Sequence, residues 1–94
     1  MVIPALWWKR LELSAITTDD AVWAMIEIEM KAVGLQDVKK NPNDVDGHSP
    51  DTHVAVTFIK LAENVYMLFI MAAGTHAFPL VDQLYDKLNS ATFP

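Results

Sequence analysis

The chain has 94 residues, with seven Lys and Arg against twelve Asp and Glu and a formal net charge of −5. That length fits one domain spanning 1–94, and a composition 52% hydrophobic and 20% charged excludes disorder and low-complexity linkers. The acidic balance repels phosphate backbones, which argues against nucleic acid as a partner, and the absence of Cys excludes disulfides, thiolate zinc sites and a cysteine nucleophile.

Residues 1–8 carry no basic region ahead of a long apolar stretch, and Lys9, Arg10 and Glu12 follow at once. No secretory leader is expected from this pattern, and a cytoplasmic location is. Residues 6–13 alternate, with Trp7, Leu11 and Leu13 on one face and Trp8, Arg10 and Glu12 on the other, which predicts a first strand. Thr17 and Thr18 then precede Asp19 and Asp20. A hydroxyl that caps free amides, followed by carboxylates at the positive end of the dipole, predicts a helix from there to about Val33. Val22, Ile26, Met30 and Val33 recur at helical spacing, and Gly34 suits the position after the cap.

Residues 36–52 are rich in Asp, Asn, Pro, Gly and Lys and lack apolar periodicity, so they read as one long loop. Residues 53–61 and 65–73 are apolar β runs separated by Ala62, Glu63 and Asn64, which predicts an antiparallel hairpin. The nearest approach to a membrane span, residues 54–73, is interrupted by Lys60, Glu63 and Asn64, so no span is expected. Pro79 suits the first turn of a second helix that ends near Leu88, with Leu80, Val81, Leu84, Tyr85 and Leu88 inward.

The expected fold is therefore α+β in the order β-α-β-β-α: a three-stranded, mostly antiparallel sheet with two helices on one face. This is the ferredoxin-like order lacking its last strand, because residues 91–94 are too short to supply one. Both faces of the hairpin are apolar, Val65, Met67, Phe69 and Met71 on one side and Tyr66, Leu68, Ile70 and Ala72 on the other. Two helices cover only one of them. An uncovered apolar face is most often satisfied by an identical chain about a two-fold axis, so a homodimer is expected, packed through sheet faces or joined at strand edges.

Candidate chemistry is concentrated in residues 44–53. Asp44, Asp46, His48, Asp51 and His53 are ligand types suited to a divalent metal if the turns at Gly47 and Pro50 converge them. The spacing fails as a calcium-binding EF-hand loop, since Pro42 and His53 fall at the first and twelfth positions. His53 at a strand start and His76 ahead of the second helix are candidates for a ligand pocket, and either could serve as a general base oriented by Asp46 or Asp51. Ser14, Ser49 and Ser90 stand in no nucleophile elbow, and no Gly-rich phosphate loop is present. Trp7 and Trp23 read as core residues, while Trp8 on the opposite face is a candidate dimer contact or platform for a small ligand.

Two functional expectations follow. The first is a small, non-catalytic homodimeric interaction or structural domain. The alternative is a metal- or small-ligand-binding protein that uses the 44–53 loop, with weak hydrolase or lyase chemistry.

Overall fold

The computed structural model describes residues 5–91. Its elements are β1 (Ala5–Ser14), α1 (Asp19–Ala32), β2 (Gln36–Lys40), β3 (Val45–Ser49), β4 (Thr52–Ala62), β5 (Val65–Gly74) and α2 (Ala77–Ser90). Residues 1–4, at the head of the segment without a leader pattern, lie outside the described residues, as do 92–94 of the C-terminal segment expected to be too short for a strand. Among the described residues no helix is long and apolar enough to cross a membrane.

The α+β composition and the two helices stand, but among the described residues the sheet has five strands, in the order β1-β5-β4-β3-β2, and every neighbouring pair is antiparallel. This corrects the three-stranded, ferredoxin-like expectation. The two added strands lie in residues 36–52, the segment whose composition predicts one long loop. They were hidden because β2 is a short border strand whose residues are mostly exposed, and because the core-facing positions of β3 are Val45 and Gly47. One valine and one glycine do not produce an apolar alternation.

Local chemistry explains the boundaries. The Ala21 amide donates to the Thr18 hydroxyl at 3.2 Å, which caps α1 as the sequence predicts. At the other end the Gly34 amide donates to the Lys31 carbonyl and the Leu35 amide to the Met30 carbonyl, a Schellman closure made accessible by the Gly34 φ of +89°. Asn64, at φ +61°, turns β4 into β5.

Both helices pack on the same side of the sheet. α2 lies over β1, β5 and β4, α1 lies over β2 and β3, and the helices touch each other. The core forms where their apolar stripes meet alternate strand residues: Val22, Ile26 and Met30 from α1, Val81, Leu84 and Leu88 from α2, and Tyr66, Leu68 and Ile70 from β5. Tyr66 is fully buried, and its hydroxyl donates toward the Thr17 carbonyl and an Asp19 carboxylate oxygen, tying β5 to the start of α1. Among the described residues no helix covers the other side of the sheet.

Candidate functional site

The helix-free face follows from strand alternation. In β1, Leu6, Trp8, Arg10 and Glu12 point to it, and register places them opposite Ala73, Met71, Phe69 and Met67 of β5. Those residues in turn face His53, Ala55, Thr57 and Ile59 of β4. The apolar exposure is greatest at the β1 border: Leu6 is 73% exposed, Trp8 56% and Ile16, just past the strand, 90%. On the helix side of that border Trp7 stacks against Phe78, both partly exposed, with ring centroids 4.8 Å apart. Trp7 is thus a half-covered border residue and not the core residue its alternation predicts, while Trp23 packs on Phe58 at 4.3 Å.

The two borders of the sheet differ. β2 is five residues long, carries Lys39 and Lys40, and shifts register between Gln36 and Lys39. Short length, lysines and a bulge are the devices that keep a border strand from pairing with another chain. β1 is ten residues long and pairs with β5 without a shift from Ala5 to Ser14. Its Lys9 is drawn over α2, with Nζ 2.8 Å from Asp82 and 4.9 Å from the Tyr85 ring centroid. The Asp82 hydrogen bond holds the Lys9 pKa above its ordinary value. The lysine that guards such a border is therefore occupied on the helix side.

The bulge in β2 has a second effect. Asp37 adopts φ +53° there, and its carboxylate reaches His48 Nε2 at 2.7 Å. His48 Nδ1 lies 3.3 Å from the Ser49 carbonyl. Both ring nitrogens thus face oxygen acceptors, an arrangement that favours the doubly protonated ring, and the Asp37 hydrogen bond raises the His48 pKa above 6.5. In its doubly protonated form the ring has no free lone pair with which to act as a base. His53 stands 5.7 Å away, ring to ring, on the neighbouring strand. Asn41 holds Asp44 and Asp46 through its side-chain amide, at 2.8 and 2.6 Å. A shallow, open concavity of about 480 Å³ lies beside this group, lined among others by Leu6, His48, His53, Ala55 and Met71.

A second acid–base pair sits at the end of the sheet. His76 Nδ1 lies 2.7 Å from Asp51, and this contact is the main reason that the Asp51 pKa is lowered. The Ser49 hydroxyl also donates to Asp51, at 3.1 Å. Both groups therefore converge on the carboxylate, whereas a nucleophilic relay requires the serine on the histidine. The arrangement orients a histidine and stitches a corner, but it does not activate a hydroxyl.

The residues singled out from sequence thus divide. Asp44, Asp46, His48 and His53 all lie along the concavity, with Asp44 and Asp46 both bound by Asn41, while Asp51 pairs with His76 at the sheet end. Among the described residues no three His, Asp or Glu side chains come together as a metal-binding group. Trp8 shares the helix-free face with His53, with β5 between their strands, while His76 lies at the end of the sheet, paired with Asp51. Sequence reasoning missed Asp37, Asn41 and Thr52. Asp37 alone had a signal: Asp tolerates the left-handed conformation that a bulge imposes.

No family model matches the chain, and comparison with curated proteins and with solved structures finds no significant match.

Proposed function

We propose that the chain is a non-catalytic interaction domain that works as a homodimer, associating through the β1 border of its sheet. The observation that carries this reading is the contrast between the borders. β2 bears the features that block strand addition, whereas β1 is long, regular and flanked by exposed Leu6, Trp8 and Ile16. A second copy offers the same border and satisfies both at once about a two-fold axis. The acidic balance of the chain supports a protein partner over nucleic acid. A cytoplasmic location belongs to the same proposal, and an interface without cysteine is indifferent to the redox state of its compartment.

Native mass spectrometry of freshly purified, tag-free protein tests this reading. The expected spectrum has a dimer mass and no adduct. A monomer mass alone at micromolar concentration overturns the dimer, and a metal or small molecule retained at defined stoichiometry overturns the unliganded, non-catalytic part.

A further inference from the structure

The β1 border also contains the information that sets the register of a dimer, an inference that rests on the proposed self-association. We infer that two copies pair antiparallel through β1, with Leu11 opposite Leu11 of the partner subunit at the two-fold axis and Arg10 opposite the partner's Glu12 on both sides of it.

Symmetry narrows the choice first. An antiparallel pair of identical strands has its two-fold axis perpendicular to the sheet, so the helix-free faces of both copies lie on the same side. Each residue is then opposite one of its own face, and the axis passes through a residue position and not between two. Within β1 the charges decide which position. An axis at Lys9, Arg10 or Glu12 sets a charged residue directly opposite its own copy, which is destabilising. An axis at Trp8 leaves Arg10 opposite Leu6, and axes nearer the strand ends pair fewer residues. An axis at Leu11 pairs residues 8–14 with their counterparts and sets Arg10 against Glu12 twice.

The surroundings agree with this register. Arg10 and Glu12 are both exposed on the helix-free face, and among the described residues neither takes part in an ion pair. They are opposite charges two positions apart on one face, so they cancel within the strand and complement each other only when the strand is reversed. On the helix side, α2 borders β1 through Phe78, Asp82 and Tyr85, so the same axis brings that side of α2 up to its counterpart. The two five-stranded sheets then continue into one, and their helix-free faces become a single surface.

Charge reversal with rescue tests the register. Arg10→Glu and Glu12→Arg, each at an exposed position, are expected to weaken the dimer roughly tenfold or more in sedimentation equilibrium, because each replaces two attractive pairs by two repulsive ones. The double variant Arg10→Glu/Glu12→Arg restores the pairs in reversed polarity and is expected to return to wild-type affinity. Far-ultraviolet circular dichroism of each variant verifies that it is folded. A companion variant, Ile59→Lys/Leu61→Lys, changes the β4 part of the helix-free face and is expected to leave the dimer intact. A dimer insensitive to the reversals but dissolved by the β4 lysines overturns the register and assigns association to the sheet face. Single reversals that the double variant fails to rescue overturn the pairing of Arg10 with Glu12, and a wild-type monomer removes the proposed self-association itself.

Discussion

The backbone amide of His76 donates a 2.8 Å hydrogen bond to the hydroxyl of Thr52, 24 positions earlier in the chain. Thr52 is the one buried polar residue of the described chain, and its hydroxyl supplies a partner for an amide at the start of α2, where the His76 side chain makes no cap. Thr52→Val keeps the shape and removes the acceptor, so it is expected to lower stability by about 1–2 kcal/mol, while Thr52→Ser retains most of it. Urea denaturation measures the difference, and an unchanged midpoint for Thr52→Val would show that the bond is replaced by another.

The same corner depends on Gly74. Its φ is +141°, and a Cβ there would meet the Asp51 carbonyl oxygen at 2.2 Å and the Thr52 Cα at 2.6 Å, both backbone atoms without freedom to yield. Gly74→Ala is therefore expected to cost about 3 kcal/mol or more, from clash and backbone strain together. Gly34→Ala is the control: φ is +89° but the space is open, so the cost is the left-handed backbone alone, about 1 kcal/mol. Thermal unfolding of both variants checks the ranking, and equal losses would contradict the packing argument.

Each of the two histidine–carboxylate pairs has its own pH window. The His48 pKa is raised above 6.5, chiefly by Asp37, so the stability this pair contributes is complete below pH 6.5 and is lost as pH rises through the raised value. The Asp51 pKa is lowered from 3.8, chiefly by His76, so its contribution is present above pH 3.8 and is lost as pH falls through the lowered value. Titration of the imidazole resonances by NMR is expected to show the His48 midpoint fall toward 6.5 in Asp37→Asn. A midpoint unmoved by that substitution would mean that Asp37 does not hold the ring in solution.

The legible parts of the sequence were those whose apolar residues follow a single period. Val22, Ile26 and Met30 marked α1, and the β4–β5 hairpin showed two apolar faces, from which an uncovered face was read directly. β2 and β3 were not legible, because a border strand buries little and a bulge at Asp37 breaks its alternation. The site residues divide the same way. Trp8 could be placed on its face from alternation alone, and Asp51 was one of two carboxylates expected to orient His53 or His76, whereas the choice of Asp51 with His76 depends on the β3–β4 turn and the end of β5 meeting at one end of the sheet. Contacts of that kind depend on topology, and here the topology changed with the two strands that the sequence hid.

Amide hydrogen exchange reads the proposed pairing of the outer edge of β1 directly. In a lone sheet, alternate β1 amides bond to β5 and the others point to solvent, so protection alternates along the strand. Pairing with a second copy is expected to protect consecutive amides across residues 8–14 at high protein concentration, giving way to alternation on dilution. Alternating protection at every concentration would contradict it.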